Sequence, residues 1–459
     1  MTSNRTKKIS YIISTSLLLI LLIIASITSL VGINKPDFKA QAVNEYTSGQ
    51  NKIFKNGAEI QLFGVNWFGA EVSDTLVPHG LWARDYKDMI ANAKDLNFNA
   101  FRIPFCPASL KNTTQRGAVN TANNRNADIA NLPPLDTLKK ITTEITNQGM
   151  YFIFDHHRPD CQAISEKWYT ASYSEQDWIN DLKFVATEFS SNSNFLGLDL
   201  KNEPHTSIDW GSDNQSRDWR LAAERAGSAV NQVNPNILIF VEGTTGGNPT
   251  CSDNSLNYYW GENFQPIKCF PIRPQFIPAN KLVLSPHVYG PDVSPQSEFN
   301  TSDFPNNLTA WWQTKFGFTI DDNYTLAIGE FGGQYGRKEA KEKAVFDKLI
   351  EFMKNKKVCN WFYWSWNSNS GDTGGILGNN GLDDWYNIRK DKMAVMNSLM
   401  NSCNSNVPIR DFNNYQWIEF SNPPTFTSTS TLSPTTTNTA TTTSTATSAF
   451  SLSTDDCLI

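Results

Sequence analysis

Short apolar runs recur along the middle of this chain, each separated from the next by room for one helix, and that rhythm limits the architectures open to it. After a hairpin-like stretch from Ile53 to Ile60, turned at Asn56-Gly57, the runs are Leu62 to Asn66, Ala100 to Phe105, Tyr151 to Asp155, Phe195 to Leu200, Ile237 to Val241, Leu282 to Ser285, Leu326 to Gly329 and Asn360 to Trp364. Helical patterns fall between most of them, as in Arg84 to Leu96, Leu135 to Gln148, Gln176 to Phe189, Arg217 to Val233 and Glu339 to Lys354. Near-continuous apolar runs mark strands buried on both faces, hence a parallel sheet. Eight of them alternating with helices predict an α/β fold, a (β/α)8 TIM barrel. A doubly wound open sheet is the alternative, weakened because no glycine-rich phosphate loop follows the first strand.

Two runs stop on carboxyl groups. In LDLKNEPH, Leu198 to His205, the strand ends at Asn202-Glu203-Pro204; in TLAIGEFGG, Thr325 to Gly333, it ends at Glu330 among glycines. A lone Glu-Pro is ordinarily a surface turn. At the end of a strand buried on both faces, though, a polar group needs a reason, and barrel strands bring their carboxyl ends together at one mouth. The other ends supply Asn66, Trp67, Arg102, His156, His157, Glu242, His287, Tyr289 and Trp364. Taken singly, Arg102 reads as a buried ion-pair partner, each His as a core residue and Trp364 as a cap. Together they place carboxylates, an arginine, imidazoles, a tyrosine and indoles at one mouth, with no metal-ligand spacing. That set suits glycosyl transfer to water, in which one carboxylic acid protonates the leaving oxygen and a carboxylate attacks the anomeric carbon. Their environments must differ. Glu330, beside Arg102 and a Tyr hydroxyl, is expected to keep its charge, and Glu203, against Glu330 and aromatic walls, to hold its proton more strongly.

The flanks describe an exported protein. Arg5, Lys7 and Lys8 precede an apolar run from about Tyr11 to Val31, the pattern of a signal peptide or signal anchor, with cleavage favoured. Sequons at Asn112, Asn214, Asn300, Asn307 and Asn323 agree with export. Seven Cys suit an oxidising compartment, and none forms a zinc pattern. The preferred pairing is Cys106 with Cys161, Cys251 with Cys269 and Cys359 with Cys403, leaving Cys457 odd; sequence alone does not decide it. Beyond about Ser421 the chain is Thr, Ser, Pro and Ala with almost no charge, expected to be a disordered linker or O-glycosylated stalk. The resulting domains are residues 1–31 for the signal or anchor, 32–50 for a linker, 51–410 for the catalytic barrel and 421–459 for the tail. A net charge of −6 without a basic stripe gives no sign of nucleic acid as a partner. The 14 Trp hint at surfaces for stacking sugar rings or for interfaces.

The segments DHHRPDC (Asp155 to Cys161), LKNEPH (Leu200 to His205), DWRLAAERAG (Asp218 to Gly227), NPNILIFVEG (Asn234 to Gly243), IGEFGG (Ile328 to Gly333) and WSWNSNSGDTGGIL (Trp364 to Leu377) resemble glycoside hydrolase family 5, the cellulase family A. More narrowly they resemble its secreted endo-β-1,4-glucanases of bacterial type, from about Asn51 to Asn401. The resemblance implies a retaining enzyme with Glu203 as acid/base and Glu330 as nucleophile. Arg102 would hold the nucleophile, Tyr289 would hydrogen-bond it, and Asn202 would bind the sugar 2-hydroxyl. His157 and His287 would line the −1 subsite, over a stacking floor of Trp364. Trp82 and Trp260 match positions assigned to sugar stacking in flanking subsites. No cofactor and no metal are implied.

The partner would be a β-glucan polysaccharide, with membrane contact only through an uncleaved amino terminus and a monomeric state. Two departures concern the cleft rim. Ser73 stands where relatives often carry a Cys, and the loop after His205 lacks a small Cys pair. The same catalytic set also serves mannan, xylan and β-1,3-glucan, and a silent polysaccharide-binding barrel is a third reading, disfavoured because both Glu residues are kept.

Overall fold

The computed structural model describes residues 44–245, 251, 258–379 and 383–416. The signal segment, the Thr/Ser-rich tail and Cys457 lie outside them.

The chain enters through an antiparallel sheet of β1 (Tyr46–Gly49), β2 (Lys52–Lys55) and β3 (Ala58–Ile60). Its β2–β3 turn holds Asn56 at φ 52° and Gly57 at φ 80°, the doubly left-handed geometry for which Asn-Gly is suited. Strand β1 lies inside the stretch read as a linker, so the hairpin sheet begins ahead of residue 51.

Seven parallel strands follow: β4 (Leu62–Asn66), β5 (Ala100–Phe105), β6 (Tyr151–His156), β7 (Phe195–Asp199), β8 (Leu238–Val241), β9 (Leu282–Leu284) and, after the short parallel pair β10 (His287–Tyr289) and β11 (Glu330–Gly332), β12 (Asn360–Tyr363). Their order is β12-β4-β5-β6-β7-β8-β9. The ring closes through the run Leu326 to Gly329, which bridges to β9 at Leu284 and to β12 at Trp361. The eighth strand is therefore present but thin, and its regular part begins only at Glu330.

Alternation along the strands explains what fills the barrel. Ala100, Ile153, Leu196, Leu238, Val283 and Ala327, from successive strands, form one buried interior cluster, closed at the amino-terminal end by Tyr46 and Ile53 of the hairpin sheet. Gly64 belongs to the same interior, where a Cβ would meet the Phe362 ring at 2.2 Å. Side chains two or four residues further along point to the same face. Those positions are Arg102, Asp155, Glu242 and Ser285, so the apolar floor passes directly into a polar layer at the carboxyl ends.

The outer helices are set by local chemistry. Ser174 and Asp177 form a reciprocal capping box for Glu175–Glu188, and Asp218 caps Trp219–Val233 while accepting from Gly211 N at 3.0 Å and Asp213 N at 2.9 Å, which ties down the loop after β7. Most of the tryptophan is core. Nine of the 14 Trp are among the largest fully buried side chains, and Trp178 and Trp219 donate from their indoles to the carbonyls of Leu200 and Glu242, each at 2.8 Å. The expected reading of the Trp excess as a sugar-stacking surface therefore holds for few of them.

The disulfides are Cys106–Cys161, Cys251–Cys269 and Cys359–Cys403. Ser73 sits beside the first without needing a thiol, its N–H bonded to the Cys161 carbonyl at 3.1 Å.

Candidate active site

The polar layer converges on Arg102. Its guanidinium, without exposed surface, lies 2.6 Å from Glu330 Oε1, 3.1 Å from Asp155 Oδ2, 3.1 Å from Asp199 Oδ2 and 3.3 Å from Glu242 Oε1. It also donates to Asn66 Oδ1 at 3.0 Å and Asn202 Oδ1 at 3.2 Å. Burial opposes its charge, and the four carboxyl groups outweigh burial, so its proton affinity rises further above the ordinary value.

Glu203 and Glu330 are brought together across the mouth. One carboxyl oxygen of each, with a nitrogen of His287, lies within 4.8 Å of the others. His287 Nδ1 is 2.9 Å from Glu203 Oε1 and 3.5 Å from Glu330 Oε2. Its Nε2 is 3.2 Å from Glu242 Oε1 without hydrogen-bond alignment. Burial works against charge on this imidazole, yet Glu242 and Glu330 raise its proton affinity well above the usual range. Tyr289 donates its hydroxyl to Glu330 Oε2 at 2.8 Å.

Glu203 holds φ at 50°, a costly backbone state for a residue before proline. Its N–H donates to Glu242 Oε2 at 2.7 Å, and His205 Nδ1 sits 2.6 Å from its carbonyl. These contacts, with a bond from Lys201 to the Asn202 carbonyl, fix the strained turn.

Glu330 has the Arg102 and Tyr289 contacts expected to favour its charge, and burial works against them. Burial pushes its carboxyl up from the ordinary glutamate value, and His287, Arg102 and the Tyr289 bond offset only part of that. Burial likewise raises Asp199 to about 6 and Glu242 well above its usual range.

The cleft above is lined among others by Phe68, His157, Asn202, Glu203, Tyr289, Glu330 and Trp364. The Trp364 ring runs nearly parallel to those of Phe68 and His157, with centroids 5.4 Å and 5.6 Å away. His157 bonds through Nδ1 to Asp155 at 2.6 Å, and burial followed by Arg102 holds it far below the usual imidazole range, so it is neutral.

One expected lining residue sits elsewhere: His287 is wholly buried beneath the floor, drawn in by several carboxyl groups, as is Arg102, which meets Glu330 from there. Trp82 packs edge-on against His79 and Trp385, and Trp260 stacks on His205 at 3.7 Å; both are half-buried and lie outside the central lining. Sequence reasoning passed over Asp199 and treated Asp155 as a strand terminator, although counting by twos from the interior at Ile153 reaches Asp155. Several of these oxygens cluster closely enough to hold a cation, and Arg102 already supplies positive charge to Asp155, Asp199, Glu242 and Glu330.

A closed barrel with two carboxyl groups facing one cleft at its carboxyl-terminal mouth defines a glycoside hydrolase. Residues 54–370 match the model of the cellulase family, glycosyl hydrolase family 5. The chain is 48% identical over 353 residues to the major extracellular endoglucanase of Xanthomonas campestris pv. campestris, covering 77% of this chain and 70% of that protein. It is 36% identical to an endoglucanase of Paenibacillus polymyxa, covering 77% and 86%. Among solved structures it is similar to an endocellulase from Pyrococcus horikoshii crystallised with cellotetraose, at TM-score 0.74 and 41% identity over 78% of this chain and 99% of that one. The chain belongs to glycosyl hydrolase family 5.

Proposed function

We propose that this enzyme is a secreted, retaining endo-β-1,4-glucanase, cleaving internal bonds of cellulose and related β-glucans. The observation that carries the reading is the placement of one Glu203 oxygen and one Glu330 oxygen within 4.8 Å of each other around His287, short of the roughly 6.5 to 9.5 Å carboxyl separation of inverting enzymes and in keeping with the roughly 5 to 5.5 Å of double displacement.

Glu203 gives its proton to the glycosidic oxygen as Glu330, ionised against Arg102 and Tyr289, attacks the anomeric carbon from the α face. The bond to the leaving sugar breaks and a glycosyl-enzyme forms. Water then attacks that carbon, Glu203 takes the water proton, and Glu330 leaves as carboxylate, so the first product is the β-anomer. Asn202 binds the 2-hydroxyl, His157 lines the −1 site and Trp364 is its stacking floor. Trp82 and Trp260 extend the platform to flanking sugars. Arg102 and His287 act through the carboxyl groups they touch.

The names of the relatives, endoglucanase and endocellulase, favour β-1,4-glucan, and an extracellular relative together with three disulfides favours export. A panel of carboxymethyl-cellulose, barley glucan, mannan and xylan tests it. Endo-cleavage of β-1,4-glucan is expected to drop viscosity well before reducing ends accumulate. Faster cleavage of mannan or xylan than of either glucan would overturn the substrate assignment.

A further inference from the structure

The loop carrying Trp260 also delivers a group to the cleft that the reaction above leaves unused. Tyr259 lines the cleft beside Glu203, Tyr289 and Glu330, yet is only 4% exposed, and its hydroxyl makes no aligned hydrogen bond although the Glu203 carboxyl is within its reach. A buried hydroxyl left without an aligned bond is costly, so one beside Glu203 points to a bond that is completed during the reaction.

Its placement is built. The backbone N–H of Tyr259 donates to Glu262 Oε2 at 2.8 Å, and that carboxylate is held by the buried Lys315 at 2.6 Å. The ring packs edge-on against Tyr289 at 5.0 Å. Burial first, then the charges of Glu203, Glu330 and Asp372, drive its hydroxyl far above the ordinary tyrosine range, so it remains a donor at any working pH.

Tyr289 already serves Glu330. We infer that Tyr259 is a further catalytic residue, the donor that serves Glu203 in its carboxylate form. This rests on the reading of Glu203 as acid/base. In the free enzyme Glu203 has His287 as donor. After Glu203 has passed its proton to the leaving group, it stands as a carboxylate through the glycosyl-enzyme stage. The Tyr259 hydroxyl then donates to it and aims it at the incoming water. In that second step the water oxygen bonds to the anomeric carbon, the bond to Glu330 breaks with its electron pair returning to Glu330, and the water proton passes to Glu203. The Tyr259 O–H bond stays intact.

The inference predicts a loss confined to the second step. With an aryl β-cellobioside bearing a dinitrophenolate leaving group, Tyr259→Phe should lower kcat about tenfold, the loss of one hydrogen bond to a charged group. Its kcat/KM, which reports the first step, should stay within about twofold of the wild type. A burst of one phenolate per active site should appear as the glycosyl-enzyme accumulates. Unchanged kcat, or kcat and kcat/KM falling together without a burst, would overturn the role. The Glu203→Ala variant separates the two readings. If it loses activity equally on aryl and natural substrates, the acid/base assignment itself fails; if it discriminates and Tyr259→Phe behaves as wild type, only the role of Tyr259 fails.

Discussion

Arg102 donates from Nη1 to Oε1 of Glu330 across 2.6 Å, with no exposed surface on the arginine and 4% on the glutamate side chain. The same guanidinium meets Asp155, Asp199 and Glu242, so it serves as the shared cation of a buried acidic layer. A lysine offers a point charge where a planar fork is used. Arg102→Lys should therefore cost at least about a hundredfold in kcat/KM, as the nucleophile loses its aligned donor. Arg102→Met should also destabilise the fold by roughly 3–5 kcal/mol, as expected when one partner of a buried ion pair is removed. Steady-state kinetics and thermal unfolding of the two variants check both.

The acid limb of activity should lie above the ordinary glutamate range, because burial raises Glu330 and the nucleophile must be ionised. Tyr289 donates to the charged form. Tyr289→Phe removes that bond and should move the acid limb of kcat/KM to higher pH, with a lower plateau. A limb that moves to lower pH contradicts the contact as a stabiliser of the carboxylate.

A second pH effect concerns stability. Glu342 packs against Gly290 and Gly333, behind the ends of β10 and β11, and accepts the Asp292 N–H at 3.0 Å. Burial pushes its carboxyl up to about 8, with Asp292 adding to the rise and Lys392 and Lys338 opposing it. A raised carboxyl binds its proton more tightly in the folded state, so its contribution to stability is complete below the unfolded value near 4.5 and is lost as pH rises through about 8. Glu342→Gln should lose less stability than the wild type between acid and mildly alkaline pH, read as thermal midpoints across that window.

Glu203→Ala should hurt natural glucans far more than substrates with activated aryl leaving groups, which need little acid assistance. A gap of about a hundredfold or more between the two losses is expected for general acid catalysis. Equal losses would remove Glu203 from that role.

Much of this architecture is visible in the chain because parallel strands buried on both faces read as unbroken apolar runs. Glu203 and Glu330 stand out where two such runs stop. The closing strand is harder to read, since Leu326 to Gly329 pairs through single bridges and its regular ladder starts at Glu330. Asp155 looks like a strand terminator, and only the alternation from Ile153 shows it as an interior charge; Asp199 is out of step with Leu196 because of a register shift between β6 and β7, so counting by twos does not reach it. The helix Lys390–Cys403 escaped notice because its buried face is largely methionine, with Met393, Met396 and Met400 in place of a stronger apolar signal. Tyr259 could not be picked out at all: it sits in a loop beside Tyr258 and Trp260, and what distinguishes it is a hydroxyl left without an aligned bond in three dimensions.

The assignment of the two carboxyl groups is tested most directly by the stereochemistry of azide rescue on an activated aryl β-cellobioside. In Glu330→Ala, azide occupies the place of the nucleophile and attacks from the α face, so turnover should return with α-cellobiosyl azide as product. In Glu203→Ala, azide attacks the glycosyl-enzyme from the opposite face and the product should be the β-azide. Proton NMR of the anomeric position distinguishes them. Obtaining α-azide from the first variant and β-azide from the second is the predicted result; the reverse pattern, or wild-type hydrolysis by Glu330→Ala without azide, would contradict it.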